Sequence, residues 1–342
     1  MSFLVHPTDF GRRRARCGPL VSKLGREPLE VVLACNVCRS AQAIVLARRD
    51  RYGLPIRTAM CANCGLVYLI DRFTAAGYAR YYGDGYYRSI SSLYNGSRGT
   101  VEGIREIQAG YAADLVGAID GYVKRRNGGQ LLDIGGSVGL VARKAADHFG
   151  LKATVLEPSP TEAEAARGAG LDAIVGSLEE WNTEERFDLI LMCRTIEHLF
   201  DLSGSLSKIR SLLREGGLFY CDSVDFLEAC RQEGSPQVTT KADHCFWLCQ
   251  ETAPGIFRSA GFEIVSTNTV CGPHYVGFLL RACSPQAEAA VMPSTWIDTQ
   301  VRRLRETEAE WDASGHVPYD ARDRLRRNAY RLKRKIGSLV GR

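Results

Sequence analysis

Leu131-Leu132-Asp133-Ile134-Gly135-Gly136-Ser137-Val138-Gly139 runs a short apolar strand, carrying one acid, into a glycine-rich turn. A helix is expected from Leu140 to Phe149, so the stretch reads strand, tight turn, helix. In open α/β sheets that junction lies at a strand's carboxyl end, where nucleotide-type ligands bind. A dinucleotide fingerprint from Gly135 requires Gly-x-Gly-x-x-Gly, but Ser137 and Leu140 occupy the later glycine positions. That mismatch weakens a hydride-transfer reading.

Outward from this turn, strand-like runs alternate with helical ones. Strands are expected at Leu131–Ile134, Ala153–Leu156, Ala173–Val175, Phe187–Cys193 and Leu218–Cys221, with a helix at Leu202–Leu213. Such alternation implies βαβ units and a mainly parallel sheet covered on both faces. Phe262–Val270 and Tyr275–Ala282 suit a closing hairpin. Glu157, 24 residues after Asp133, ends the second strand just before Pro158. A carboxylate there can accept from both ribose hydroxyls of a nucleoside.

The run Asp133, Gly135, Ser137, Gly139 resembles motif I of class I S-adenosylmethionine-dependent methyltransferases, with serine in place of one glycine. The likeness continues through Gly176-Ser177-Leu178, where that family places adenine contacts. It includes Phe187 to Cys193 followed by Glu197-His198-Leu199, and the turn Arg214-Glu215-Gly216-Gly217, and covers about 130–283. The resemblance implies a Rossmann-like seven-stranded class I methyltransferase sheet over 129–285 and S-adenosyl-L-methionine as cofactor. It implies cofactor contacts from Asp133, Gly135, Gly136, Ser137, Gly139, Glu157, Pro158, Ser177, Leu178, Cys193 and Tyr87.

Upstream, Cys35-x2-Cys38 and Cys61-x2-Cys64 are separated by 22 residues. That paired spacing predicts a tetrahedral zinc site over 35–70. Four thiolates leave no coordination position for water, so the metal is expected to be structural and to replace a core that this segment is too short to build. Gly65 permits the tight turn after Cys64. Cys61-Ala62-Asn63-Cys64-Gly65-Leu66-Val67-Tyr68, then Tyr81-Tyr82 and Tyr86-Tyr87, resembles bacterial methyltransferases with an amino-terminal zinc-binding segment. Such proteins are linked to glycan or secondary-metabolite assembly, which implies a small-molecule or glycan acceptor. Relatives that methylate sugar carbons carry a larger carboxyl-terminal domain that is not expected from this sequence, so the resemblance carries the substrate over only weakly.

A neutral hydroxyl acceptor needs a base, and histidine's reference pKa suits proton removal near neutrality. His198 follows the fourth strand and His244, in Lys241-Ala242-Asp243-His244, lies after the fifth; Glu197 stands beside the first. These three are the candidate catalytic groups. The plainer alternative has them bracing a helix or loop. The tyrosines of a helical bridging region over 71–128 are read as a lid or as an aromatic packing cluster.

The chain has 342 residues, 45% hydrophobic and 24% charged, with a net charge of +5. That balance is too small to imply a nucleic-acid partner. Ala321–Arg342, however, carries nine basic residues and one acidic. There Leu325, Ala329, Leu332, Ile336 and Leu339 predict a basic amphipathic helix within a tail over 286–342, able to lie on anionic lipid. Residues 1–34 mix Arg, Gly and Pro and are expected to form a basic arm. The opening residues do not read as a leader, so twelve cysteines fit a reducing cytoplasm, with contact at the inner membrane face through the tail. The leading expectation is O-methylation of a sugar or a glycan or secondary-metabolite intermediate. The alternative is an RNA methyltransferase using the zinc ribbon and basic termini. Cys193-Arg194-Thr195-Ile196 lacks the Pro-Pro-aromatic turn used on base amines, which makes nucleic acid the weaker partner. A non-catalytic binding scaffold requires both histidines to be structural.

Overall fold

The computed structural model describes residues 7–95, 101–270, 272, 274–286 and 290–314. Helix α1 (Pro7–Leu24) occupies most of the segment expected to be an arm. Phe10, Cys17 and Leu24 fall seven apart, make one stripe and are buried. Their partners come from distant sequence: the Phe10 ring meets Trp311 edge-on at 5.7 Å, and the Cys17 thiol donates to the Ile90 carbonyl. From within the segment expected to be a basic arm, these covering residues are invisible to a local reading.

Next come β1 (Leu29–Val31), β2 (Ala43–Ala47), β3 (Thr58–Cys61), β4 (Val67–Leu69) and β5 (Asp71–Phe73). They lead into α2 (Ala75–Gly83), whose amino end Thr74 caps by accepting the Gly77 N–H. Two further helices follow, α3 (Tyr86–Asn95) and α4 (Val101–Ile119). Tyr111, Leu115 and Ile119 of α4 are buried against the main sheet, as the helical spacing predicts; the side chains of Ile104 and Ile107 lie outside the described ones.

The α/β body contains β6 (Gly129–Ile134), α5 (Leu140–Phe149), β7 (Leu151–Glu157), α6 (Pro160–Gly168), β8 (Asp172–Val175), β9 (Phe187–Cys193), α7 (Leu202–Leu212) and β10 (Leu213–Val224). After it come α8 (Phe226–Glu233), α9 (Pro236–Thr239), β11 (Phe246–Trp247), α10 (Ala253–Ser259), β12 (Phe262–Asn268), β13 (Tyr275–Ala282) and α11 (Ser294–Ser314). Seven strands form one sheet in the order β12-β13-β10-β9-β6-β7-β8. Strands β6 to β10 pair in parallel and β13 runs antiparallel between β10 and β12. This is a Rossmann-like α/β fold with a seven-stranded mixed sheet. Helices cover both faces, which is why β9 reads Leu189-Ile190-Leu191-Met192 without alternation and all four are buried.

A second sheet, β11-β4-β3-β2, is antiparallel. Its fourth strand comes from the loop after β10, with Phe246 opposite Tyr68 and Trp247 opposite Val67. The cysteine-bearing segment and the α/β body therefore share a sheet and one apolar core. No helix among the described residues is long and apolar enough to cross a membrane. The basic stretch Ala321–Arg342, expected to be an amphipathic helix, lies outside the described residues.

Candidate active site

The glycine turn is shaped by positive φ and close packing. Gly135, Ser137 and Gly139 have φ of +68°, +53° and +78°. A Cβ on Gly135 would stand 2.5 Å from the Thr195 side chain, and one on Gly139 would stand 2.3 Å from Leu171. Ser137 keeps its side chain in the left-handed region, at a cost of roughly 1–2 kcal/mol. Its N–H is recovered by donating to Glu157 Oε2 at 3.0 Å. The Ser159 N–H donates to Glu157 Oε1 at 2.9 Å. Each carboxylate oxygen thus spends one lone pair on the backbone and keeps another for a ligand.

Burial, then the neighbouring Glu162, pushes Glu157 up to about 7. Asp133 lies against Gly136 and is fully buried, and neither carboxyl oxygen has a hydrogen-bond partner among the described residues. Burial, then the Glu157 charge, pushes it to about 8.

The remaining expected cofactor residues are spread around this end of the sheet. Gly176 donates to the Glu157 carbonyl at 3.1 Å, which brings the start of Ser177-Leu178 beside β7. Leu178 is buried. The Ser177 hydroxyl accepts the Glu180 N–H at 3.3 Å, so it is engaged within its own turn. Cys193 ends β9 half-buried, and Pro158 is exposed. Tyr87 packs into an aromatic group, with ring centres 5.6 Å from Tyr82 and 6.3 Å from His198.

Beyond β9 the backbone turns through Arg194 (φ +53°) into a short 3-10 turn, Ile196–His198. His198 and His244, 46 positions apart in sequence, meet with ring centres 4.7 Å apart at 87°. His198 Nδ1 lies 2.8 Å from the Asp243 carbonyl oxygen. A carbonyl can only accept, so Nδ1 carries the proton and Nε2 presents the lone pair. Tyr82 Oη, 3.0 Å from Nδ1, lies within reach as a second acceptor of that proton.

Desolvation holds His198 down at about 4, against the opposing Asp243 charge. His244, 5% exposed, is held well below the usual range by burial, and its Nδ1 has no partner among the described residues. Glu197, 3% exposed, is pushed to about 8 by burial, and its Oε2 is likewise without a partner among them. One ligand-type atom from each of these three residues lies within 4.8 Å of the others.

Several polar residues here were missed by sequence reading. Asp222 accepts the Arg194 N–H at 2.6 Å and the Tyr111 hydroxyl at 2.6 Å. The Arg194 guanidinium lies over the Tyr111 and Tyr275 rings, 5.3 and 4.7 Å from their centres. The signal for Asp222 was its place near the carboxyl end of a parallel strand, opposite Cys193. A hollow of about 490 Å³ between Thr154, Arg167, Asp172 and Trp181 opens where β8 begins, at the end of the sheet opposite these groups.

The two Cys-x2-Cys turns are built alike. In each, the residue after the second cysteine donates to the first cysteine's carbonyl at 3.0 Å, Arg39 to Cys35 and Gly65 to Cys61. Both stand at positive φ, +60° and +73°. The thiols converge with Cys35 Sγ 3.5 Å from Cys64 Sγ and Cys38 Sγ 3.5 Å from Cys61 Sγ. A tetrahedron of ~2.3 Å Zn–S bonds has edges near ~3.8 Å, so the set fits one zinc ion with slight expansion.

The loop carrying His244 is tied to this module. The Ala242 N–H donates to buried Asp50 at 3.1 Å, the Tyr78 hydroxyl donates to the Ala242 carbonyl at 2.7 Å, and Arg51 donates to the Thr239 carbonyl at 2.8 Å.

Residues 105–267 match the family model described as "Methyltransferase domain". Among curated proteins the chain is 25% identical over 147 residues to a ubiquinone biosynthesis O-methyltransferase of Methylocella silvestris, covering 38% of this chain and 57% of that one. A protein of the same name from Bradyrhizobium sp. is 27% identical over 105 residues, covering 29% and 41%. The chain thus spans about half the length of these relatives. Among solved structures, the mitomycin 7-O-methyltransferase MmcR aligns at 16% identity and a TM-score of 0.45, covering 60% of each chain.

Proposed function

We propose, from the match of residues 105–267 to the family model described as "Methyltransferase domain", that the chain transfers a methyl group from S-adenosylmethionine to an oxygen. The acceptor class we assign is a hydroxyl of a sugar or of a glycan or secondary-metabolite intermediate. The observation that carries the reading is the pairing of two groups at one end of the sheet. Glu157 keeps a free lone pair on each oxygen, and His198 presents Nε2 beyond the neighbouring strand. That the curated relatives are O-methyltransferases favours oxygen over nitrogen or carbon.

When bound, S-adenosylmethionine supplies a methyl carbon made electrophilic by its sulfonium. Glu157 holds the ribose hydroxyls while Gly135, Gly136 and Gly139 let the backbone approach the ligand. Ser177, Leu178, Cys193 and Tyr87 would supply contacts to the adenosine, as the resemblance implies. His198 Nε2 takes the acceptor hydroxyl's proton as the carbon–oxygen bond forms and the carbon–sulfur electron pair returns to sulfur. His198 is held neutral by burial, so it is ready for this at every pH well above about 4. Tyr81, Tyr82 and Tyr87 pack on one another beside His198 and would help to exclude water there.

Cys35, Cys38, Cys61 and Cys64 would hold a structural zinc ion, which would stabilise the sheet that the His244 loop joins. The test is transfer of labelled methyl from S-adenosylmethionine into glycan and metabolite extracts, with the product identified by mass spectrometry. Label in an ether-linked, base-stable methyl on a sugar or metabolite is expected. Label appearing only in RNA overturns the acceptor assignment.

A further inference from the structure

We infer that Glu197, His198 and His244 form a second metal site in this chain, a two-nitrogen, one-oxygen set for a divalent transition cation. One carboxylate oxygen and a nitrogen from each ring lie within 4.8 Å of one another. Donors around a single ion with bonds of ~2.0–2.2 Å stand roughly 3–4 Å apart, so small side-chain rotations close the set.

Two of the three groups are more than nine-tenths buried and each leaves an atom without a partner among the described residues, Glu197 Oε2 and His244 Nδ1. Such orphans are costly unless something fills the space between them. The third group is oriented from behind. His198 donates Nδ1–H to the Asp243 carbonyl and keeps Nε2 as its lone-pair nitrogen, as a metal-bound imidazole does when a carbonyl fixes its tautomer. Lys241, whose charge acts on both histidines, is engaged by Asp243 Oδ2 at 3.3 Å, which offsets part of that charge.

Two imidazoles and a carboxylate favour zinc, cobalt, nickel or iron over magnesium or calcium. Three protein ligands leave a coordination position open, in contrast to the four-thiol module. Taken with the proposed role of His198, which this consequence rests on, the Nε2 lone pair serves either the acceptor's proton or the cation. Loading the site therefore removes the base.

The test is equilibrium dialysis of the full chain, zinc-loaded at its thiols, against cobalt(II) chloride, with bound metal counted and the cobalt spectrum recorded. One equivalent of cobalt beyond the zinc is expected. His244→Ala, or Glu197→Gln where the first fails to fold, should weaken it by about 10–100-fold or more while zinc content and cofactor binding persist. No additional cobalt in the wild-type chain, or equal binding by a folded variant, overturns the site. Cobalt-free protein is assayed for methyl transfer on the same samples. Absent cobalt binding with intact transfer removes the metal site and leaves the base; cobalt binding without any transfer by cobalt-free protein does the reverse.

Discussion

At Glu157 the two oxygens accept the N–H groups of Ser137 and Ser159, and on the proposed role its charge would select a nucleoside diol. Glu157→Gln keeps the size but replaces one acceptor with a donor. A charged hydrogen bond contributes roughly 1.5–3 kcal/mol. Titration calorimetry should therefore find cofactor affinity about 10–100-fold weaker, and an unchanged affinity would remove Glu157 from the site. Because Glu157 sits at about 7 in the free protein, it must shed a proton to bind. Affinity is then expected to rise about tenfold per pH unit up to pH near 7 and to level off above it.

His198 behaves differently. Its depressed value, about 4, predicts no loss of turnover across the ordinary histidine range at saturating cofactor. His198→Ala is expected to lower turnover by about 10²–10⁴ with cofactor affinity unchanged. Asp133 carries a stability signature. Its folded-state value, about 8, exceeds the unfolded one, so the folded chain binds more protons between about pH 4 and 8. Stability from this group falls as pH rises through that window. Asp133→Asn should flatten the decline in melting temperature of the free protein, and a parallel decline in both proteins would refute the assignment.

Among elements, the turn between β6 and α5 depends on positions that admit no side chain. Gly139→Ala adds a Cβ that meets Leu171 at 2.3 Å from a φ of +78°. Overpacking and left-handed strain each cost about 1–3 kcal/mol. A lowered melting temperature with weakened cofactor binding is expected in thermal scans. Ser137 was the one departure from the methyltransferase turn pattern, and the structure supplies a local reason for its tolerance. Its left-handed backbone is the same that glycine would adopt, and its amide is held by Glu157. Helix α1 makes the opposite point. A heptad of Phe10, Cys17 and Leu24 was present in sequence, but Arg, Gly and Pro around it obscured the stripe until Trp311 and Ile90 supplied its partners.

For the whole molecule, the main consequence is that the thiol module and the loop carrying His244 share one sheet. The pairing of β11 with β4, and the bonds from Asp50, Arg51 and Tyr78, hold Thr239 through Trp247 in place. Removing zinc with a chelator is expected to release amide protection in 239–249 as well as in 35–70, read by hydrogen exchange and mass spectrometry. Exchange confined to 35–70 would uncouple the two.

The alternation of strands and helices, the glycine turn with its acid two residues before it, and the twin Cys-x2-Cys spacings were all legible in the chain. Each is a local pattern, fixed by backbone periodicity or by which residues tolerate a tight turn. The meeting of His198 with His244, the carbonyl that selects the His198 tautomer, Asp222 under Arg194, and the borrowed fourth strand of the thiol sheet were decided only by tertiary structure. Each joins segments tens of residues apart, and no periodicity within either segment specifies which surface of the other it will meet.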